Sequence, residues 1–405
     1  MNEQAARAHL CISADARTAL ISAARDPQPV TGLTHNFYRY PARFSPIFVR
    51  SVIEAFTKRG DWVVDPFAGG GTTLVEALAL GRNALGIDIS SLAGFVCEAK
   101  TLRLNGAHVR HFQRWQSQLS NIINMRGPAC RFDGYAEAGY YRNLEGREFW
   151  RLRKSIEQCL ASVERVGCYG AQVLARCVVL KTAQWALDAR KNRPSVSCFR
   201  AELIKQAEAM LAGALILRDR IEALKLSRPP QVSCVTRSTA GAEEEPLIQQ
   251  VCPPRLILTS PPYPGIHVLY HRWQVDGRRE APTPFWIAGK LDGAGSSYYT
   301  MGDRKNPGLA SYFESLETSF TSVAAMAGRN TTIVQVVAFS KSDWQLPRYL
   351  EVMERCGLIE EKPWNLDSPD RRLWRDVPNR KWHAQQKRRA PGAREVVLVH
   401  RKRTI

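Results

Sequence analysis

The feature that most constrains this fold is a strand, a glycine-rich turn, a helix and a second strand in immediate succession. Residues 62–64 form a short apolar strand, and the turn DPFAGGGTT follows at 65–73. The next segment, LVEALALGR, has a helical pattern, and a second strand at 84–87 ends in Asp88. Such a turn lets the backbone approach a ligand closely, and an acid after the next strand can accept hydrogen bonds from a ribose diol. The order predicts a nucleoside-binding α/β unit.

The composition of the turn argues against two common nucleotide sites. Gly69, Gly70 and Gly71 are consecutive, so the dinucleotide pattern G-x-G-x-x-G is absent. No G-K-[ST] follows, so a triphosphate cradle would lack its lysine. The alternative is a tight turn without a ligand, with Asp88 serving only as a helix cap.

The remaining periodicity predicts a doubly wound α/β fold with a mostly parallel sheet and an inserted helical domain. Further strands are expected at 232–235, 256–258, 332–339 and 395–399, and helices at 47–58, 309–327 and 347–356. Residues from about 108 to 227 have almost no strand signal. The predicted organisation is a leader at 1–30, a catalytic domain at 31–107 and 231–405, and a helical insertion at 108–230, with a long loop at 277–307.

A second motif, Ser260-Pro261-Pro262-Tyr263, directly follows the buried strand pattern RLILT. The prolines remove two N–H donors and restrict φ, which leaves a rigid Pro261 carbonyl beside the Ser260 hydroxyl and an aromatic ring at Tyr263. Two such acceptors suit the exocyclic amine of a nucleobase, because they can orient its nitrogen for the direct in-line transfer of a methyl group to it. Tyr263 is expected to project and to stack on a base flipped out of its helix. The alternative is a Pro-Pro turn with Ser260 as an N-cap.

These motifs resemble those of known methyltransferases. The turn from Asp65 to Gly71 resembles the first motif of class I S-adenosylmethionine-dependent methyltransferases. Thr259-Ser260-Pro261-Pro262-Tyr263 resembles the target motif of DNA amino-methyltransferases that act on the 4-amino group of cytosine, whereas adenine-directed members usually begin the motif with Asp or Asn. The segment 34–44, THNFYRYPARF, resembles the aromatic and basic segment that precedes the first motif in this family.

The resemblance implies a DNA (cytosine-N4) methyltransferase that uses S-adenosyl-L-methionine, in a bacterial restriction-modification or defence system. The implied catalytic residues are Ser260, Pro261, Pro262 and Tyr263. The implied cofactor-binding residues are Phe37, Tyr40, Arg43, Asp65, Phe67, Ala68, Gly69, Gly71, Thr72, Asp88 and Thr259.

The charge balance points to an anionic partner. Lys and Arg number 57 and Asp and Glu 38, which leaves a formal charge of +19, and double-stranded DNA is the predicted partner. Residues 371–403 hold twelve Lys and Arg but two acids, with Trp374 and Trp382 among them. The predicted DNA-binding residues are Lys387, Arg388, Arg389, Tyr298 and Arg304, and the helical insertion is a candidate recognition domain. A solvated basic face with core tryptophans is the alternative.

Other features limit the compartment and the cofactors. The chain shows no apolar run long enough for a membrane span and no cysteine or histidine spacing typical of zinc. We therefore expect a soluble, cytoplasmic protein without a metal, associated with the nucleoid when bound to DNA and with cognate restriction or defence proteins as partners. Three other functions stay open: an adenine-N6 DNA methyltransferase, an RNA base amino-methyltransferase, and a catalytically silent nucleic-acid-binding protein.

Overall fold

The computed structural model describes residues 12–26, 28, 30–40, 44–265, 272–276, 279–293, 299–302, 308–367, 369–376 and 394–403. The helices are α1 Ala14–Arg25, α2 Pro46–Phe56, α3 Thr72–Ala79, α4 Ser91–Thr101, α5 Gly106–Gln116, α6 Leu119–Ile122, α7 Asp133–Glu137, α8 Trp150–Glu164, α9 Tyr169–Leu187, α10 Val196–Glu222, α11 Pro246–Gln249, α12 Thr283–Ala288, α13 Ala310–Met326 and α14 Ser342–Arg355. The strands are β1 Trp62–Asp65, β2 Asn83–Asp88, β3 Val232–Thr236, β4 Leu256–Thr259, β5 Trp273–Val275, β6 Arg279–Ala281, β7 Thr332–Ala338, β8 Leu358–Glu361, β9 Leu373–Asp376 and β10 Arg394–Lys402.

The central sheet has eight strands, in the order β3-β2-β1-β4-β7-β10-β8, with β9 also paired to β10. The pairs among β1, β2, β3, β4 and β7 are parallel, whereas β10 runs antiparallel to β7, β8 and β9. The strand order reverses between β1 and β4, the kind of position at which open α/β sheets bind ligands. The predicted fold class, a doubly wound and mostly parallel α/β sheet, is confirmed.

Helices cover both faces of this sheet because its strands are apolar on both sides. Val63 belongs to the cluster under α1, α2 and α3, and the next residue, Val64, belongs to the cluster under α13 and α14. Leu20 and Ala24 of α1 are fully buried in the first of these clusters. Helix α1 of the predicted leader therefore packs with α2 and α3 on the central sheet.

The chain leaves the sheet after β2 and returns to it at β3, and the helices α4 to α10 lie between these two strands. Helices α4 to α10 form one apolar cluster, which also includes Trp273, Phe285 and Trp286 from the chain after the tetrapeptide. The prediction of a long loop at 277–307 is wrong for residues 279–288, which include the strand β6 and the helix α12. These elements were missed because β6 is three residues long and α12 is only six, too short for a periodic pattern.

The close approach of the insertion to the upstream segment depends on Gly213 in α10. A Cβ placed there would lie 2.5 Å from the Leu33 carbonyl oxygen and 3.2 Å from the Phe37 ring. We expect Gly213→Ala to lower the free energy of unfolding, because a backbone shift costing about 1–3 kcal/mol outweighs a gain in helix propensity of about 1 kcal/mol. Denaturant titration measures this difference.

The matched control is Gly134→Ala in α7, where a Cβ meets nothing within 4 Å. That variant should be as stable as wild type or more stable. A Gly213→Ala protein of wild-type stability would show that α10 can move away from residue 33 without cost.

Candidate active site

The glycine turn is a compact backbone loop at the end of β1. The N–H of Ala68 donates to the Ile87 carbonyl at 2.9 Å, and the N–H of Gly71 donates to the Ala68 carbonyl at 2.8 Å. Gly69 and Gly71 have φ values of +48° and +71°, a region that glycine enters without steric penalty. A Cβ at Gly71 would also lie 3.0 Å from the Cys97 sulfur. The turn therefore needs glycine at 71 for its conformation and for its packing on α4.

Asp88 connects the turn to the end of β2. Its Oδ2 accepts from the Gly69 N–H at 2.8 Å, and its Oδ1 accepts from the Ser90 N–H at 2.8 Å. Burial raises the pKa of Asp88 to about 6. Each carboxylate oxygen still has a lone pair after one hydrogen bond, so Asp88 can hold the turn and accept from a ligand at the same time.

Asp65 connects the turn to the tetrapeptide. It is buried, accepts from the Phe67 N–H at 3.2 Å and accepts from the Thr259 hydroxyl at 2.7 Å. Burial raises the pKa of Asp65 to about 6. Because Asp65 ends β1 and Thr259 ends the adjacent parallel strand β4, this contact places the two motifs side by side at the carboxyl edge of the sheet.

The Ser260 hydroxyl lies between two acceptors. Its oxygen is 2.9 Å from the Val336 carbonyl and 3.1 Å from the Tyr263 hydroxyl oxygen. The Tyr263 hydroxyl donates to Glu395 Oε1 at 2.6 Å. Because Ser260 uses its one proton toward these groups, its lone pairs remain able to accept from a substrate N–H.

Tyr263 differs from the expectation of a projecting ring. Its side chain is only 8% exposed and packs in the core between the sheet and α13. The hydrogen bond to Glu395 accounts for this position, since a buried phenol needs an acceptor. In this conformation the buried Tyr263 side chain anchors the tetrapeptide to the core and does not project from the surface.

The two prolines differ in their contacts. The Pro262 carbonyl accepts from the Tyr312 hydroxyl at 2.9 Å, which ties the tetrapeptide to α13. No hydrogen bond from the described part of the chain reaches the Pro261 carbonyl. The Pro261 oxygen and the half-buried Ser260 hydroxyl are thus two adjacent acceptors.

The upstream segment meets the turn through one of its predicted residues. The ring of Tyr40 lies 3.5 Å from the position that a Gly69 Cβ would take. Phe37 is instead buried in the core of the insertion, against α10. The predicted cofactor residue Arg43 lies outside the described residues.

The remaining predicted cofactor residues are structural neighbours of the turn. Phe67 stacks on Phe320 of α13 with ring centroids 6.3 Å apart. Ala68 is buried between the turn and the sheet, and Thr72 is the buried first residue of α3. Those of the predicted residues that the structure describes are therefore grouped around one turn, apart from Phe37.

The predicted DNA-binding residues Lys387, Arg388, Arg389, Tyr298 and Arg304 all lie outside the described residues. Several arginines in the described part of the basic stretch have internal partners. Arg372 pairs with Glu360 at 2.6 Å, and the buried Arg375 lies 3.5 Å from Glu395. Not every cation between 371 and 403 is therefore available to phosphates.

Sequence reasoning missed two charged residues near the site. Lys100 of α4 is fully buried and donates to the Gly70 carbonyl at 2.6 Å, which supports the turn from the helix side. Its position on an otherwise apolar helix face was the available signal. Glu395 is the second residue of β10, and a charged residue near the start of a strand is typical of an exposed edge, so the sequence carried no sign of its burial.

The residues present fit S-adenosylmethionine. Gly69 of the turn is half-buried, Asp88 can accept from ribose hydroxyls, and Tyr40 borders the same turn. Within the described ranges no three His, Cys, Asp or Glu side chains group as a metal site would need. None of the described helices is long and apolar enough to cross a bilayer.

The fold and the site, a doubly wound sheet with a glycine turn at the end of β1, agree with comparisons to known proteins. A family model described as DNA methylase matches residues 23–93, which include the upstream segment, the turn and Asp88. The tetrapeptide lies outside that match. Together with the sheet order, the match supports S-adenosyl-L-methionine as the methyl donor, the cofactor predicted from the sequence.

Named relatives share only short segments with this chain. Type II methyltransferase M.BsoBI of Geobacillus stearothermophilus is 43% identical over 68 residues, 16% of this chain and 13% of that protein. Type II methyltransferase M.MjaII of Methanocaldococcus jannaschii is 38% identical over 66 residues, 16% and 12%. Type II methyltransferase M2.DpnII of Streptococcus pneumoniae is 44% identical over 50 residues, 12% and 19%. The chain thus spans less than a fifth of the length of these relatives.

Two solved structures resemble the chain weakly. The rRNA methyltransferase aviRa of Streptomyces viridochromogenes has a TM-score of 0.36 at 11% identity, covering 94% of this chain and 92% of that one. A TehB-like SAM-dependent methyltransferase of Corynebacterium glutamicum has a TM-score of 0.32 at 10% identity, covering 88% and 87%.

Proposed function

We propose that this protein is a DNA amino-methyltransferase that transfers the methyl group of S-adenosylmethionine to the exocyclic amino nitrogen of a flipped cytosine. The observation that carries the proposal is the hydrogen bond from Thr259 to Asp65. It joins the cofactor turn and the tetrapeptide at one edge of the sheet, so a methyl donor on the turn and an amine on the tetrapeptide would be neighbours.

The tetrapeptide suits an amine because it offers acceptors. The two N–H groups of the target would donate to the Ser260 hydroxyl oxygen and the Pro261 carbonyl oxygen. These contacts direct the nitrogen lone pair, which is otherwise delocalised into the base, toward the electrophilic methyl group that the cofactor supplies. Fixed acceptors of this kind speed a reaction by orienting it and by stabilising charge that develops on the nitrogen.

Cytosine is favoured over adenine by Ser260 at the first position of the tetrapeptide. The motif is similar to that of cytosine-directed enzymes, and adenine-N6 transfer is the second candidate within this class. Incubation with labelled S-adenosylmethionine and duplex DNA, followed by hydrolysis and chromatography of the nucleosides, tests both. Label in N4-methylcytosine supports the proposal, whereas label in N6-methyladenine would show that the target base is adenine.

Two other classes are tested by the same assay. Transfer to structured RNA but not to duplex DNA would indicate an RNA base amino-methyltransferase. Cofactor binding in calorimetry without transfer to either nucleic acid would indicate a silent binding protein.

We also propose that the basic stretch binds phosphates. Replacing Lys387, Arg388 and Arg389 by Gln should weaken binding to every DNA sequence, because phosphate contacts position a protein without reading bases. On duplex DNA the logarithm of affinity falls against the logarithm of salt by about 0.9 per contact, so the slope should become shallower by up to about three units. Affinities measured over a salt series test this.

The matched control replaces Arg348, which is exposed and paired with Glu351 on α14. Arg348→Gln should leave the salt slope unchanged. An unaltered slope in the triple variant would move the DNA surface elsewhere, with the helical insertion as the next candidate. A changed methylation site would mean that these residues contact bases.

A further inference from the structure

A chain of hydrogen bonds runs from the tetrapeptide into the core of the sheet. The Ser260 hydroxyl can donate to the Tyr263 hydroxyl at 3.1 Å, and the Tyr263 hydroxyl donates to Glu395 at 2.6 Å. Glu395 is 5% exposed and lies on β10 directly opposite Arg375 of β9, whose guanidinium is 3.5 Å away. The chain thus links a half-buried hydroxyl to a buried carboxylate.

A buried carboxylate at this place needs an explanation beyond stability. Buried ion pairs contribute little net stability, because desolvation offsets their attraction. Replacing a buried ion pair by well-packed apolar residues is often neutral or stabilising. A carboxylate does something that an apolar residue cannot, since it can take up a proton.

We propose that Ser260, Tyr263 and Glu395 form a relay that removes a proton from the target amine as the methyl group is transferred. This inference rests on the proposed function. As the N–C bond forms and the C–S bond of the donor breaks, the sulfonium becomes a neutral thioether and the amine nitrogen becomes positively charged. One N–H proton passes to the Ser260 oxygen, the Ser260 proton passes to the Tyr263 oxygen, and the Tyr263 proton passes to Glu395. The product amine is then neutral, and Glu395 later returns its proton to solvent.

The relay compensates for the weak basicity of the serine hydroxyl. A hydroxyl is a weak base and can accept a proton only if it gives up its own at the same time. The bond between Ser260 and Tyr263 provides the outlet, and Ser260 reaches it by rotating its hydroxyl from the Val336 carbonyl at 2.9 Å. The same chain explains why Tyr263 is buried with its hydroxyl directed toward β10 rather than projecting from the surface.

The decisive variant is Glu395→Gln. A glutamine can accept the Tyr263 hydrogen bond through its amide oxygen but cannot take up the proton. If Glu395 acts only as a support, the variant should be nearly as fast as wild type. If it ends a relay, the single-turnover rate of methyl transfer should fall by about 10²-fold, the size of a general-base contribution. KM for DNA and the affinity for S-adenosylmethionine should stay unchanged, and the variant should show a larger solvent deuterium isotope effect than wild type.

Glu360→Gln is the matched control, because it breaks the pair with Arg372 beside the same strands without touching the tetrapeptide. It should transfer at the wild-type rate. Tyr263→Phe keeps the ring and the pair of Arg375 with Glu395, so it interrupts the relay even if Glu395→Gln fails to fold. In the double variant the loss should not exceed that of the slower single variant, because one relay is broken only once.

The outcomes separate this inference from the proposed function. A wild-type protein that transfers no methyl group to DNA contradicts the proposed function. A wild-type protein that is active, together with a folded Glu395→Gln protein or a Tyr263→Phe protein that is equally fast, overturns the relay alone.

Discussion

Ser260→Ala should lower the single-turnover rate of methyl transfer by about 10²- to 10³-fold, the effect of removing one oriented hydrogen-bonding group from a transition state. The hydroxyl contacts the Val336 carbonyl and Tyr263, and no hydrogen bond joins it to the described glycine turn. The affinity for S-adenosylmethionine should therefore change little. Rapid-quench measurement of labelled product under saturating cofactor gives the rate, and calorimetry gives the affinity.

Ser238→Ala is the matched control for that experiment. Ser238 also follows a parallel strand of the same sheet, but it is exposed, and its hydroxyl oxygen accepts from the Ala240 N–H at 3.2 Å, its one hydrogen bond within the described part of the chain. Its loss should leave the transfer rate unchanged. A Ser260→Ala protein as fast as wild type would remove the hydroxyl from the chemistry and leave the Pro261 carbonyl as the sole acceptor.

Asp88→Asn should weaken the binding of S-adenosylmethionine by about 10- to 150-fold, because a charged acceptor of ribose hydroxyls contributes about 1.5–3 kcal/mol. Asn keeps one oxygen for the Gly69 N–H, so the turn is preserved. Asp88→Ala loses that support as well and should bind more weakly still. Asp61→Asn alters the turn that precedes β1, at the end of the strand away from the glycine turn. This variant should bind S-adenosylmethionine with wild-type affinity.

The affinity should also depend on pH with a defined sign. Burial raises the pKa of Asp88 to about 6, so the carboxylate is ionised above that pH and protonated below it. Affinity should be constant near pH 7.5 and fall as the pH is lowered through 6. The part of this fall that belongs to Asp88 should be missing in Asp88→Asn. Equal pH profiles for the two proteins, or wild-type affinity in the variant, would place the ribose elsewhere.

Local sequence signals predicted the elements that bear the site. The order from Trp62 to Asp88 is readable because every signal lies beside the next: an apolar strand, consecutive glycines, a helix pattern and a second strand. The tetrapeptide was readable for the same reason, since prolines restrict their own backbone whatever packs around them. The two strands β8 and β9 were missed, because each is only four residues long and carries charged residues.

Contacts between distant segments were beyond such reasoning. Thr259 and Asp65 are 194 positions apart, and Tyr263 and Glu395 are 132 apart. Residues so far apart meet only after the sheet has set its strand order, which no local pattern records. The burial of Tyr263 is the clearest case, since a tyrosine after two prolines has no intrinsic preference for core or surface.

The sequence by itself determined the class of fold, the glycine turn, the acid that ends β2 and the acceptor tetrapeptide, because those features arise from backbone restrictions and periodicity within single elements. Only the tertiary structure decided that Asp65 holds Thr259, that Lys100 supports the turn and that Tyr263 points into the core toward Glu395. The physical reason is that burial of a polar group costs free energy unless the group finds a hydrogen-bond partner, and neighbouring strands of the sheet bring such partners from remote parts of the chain.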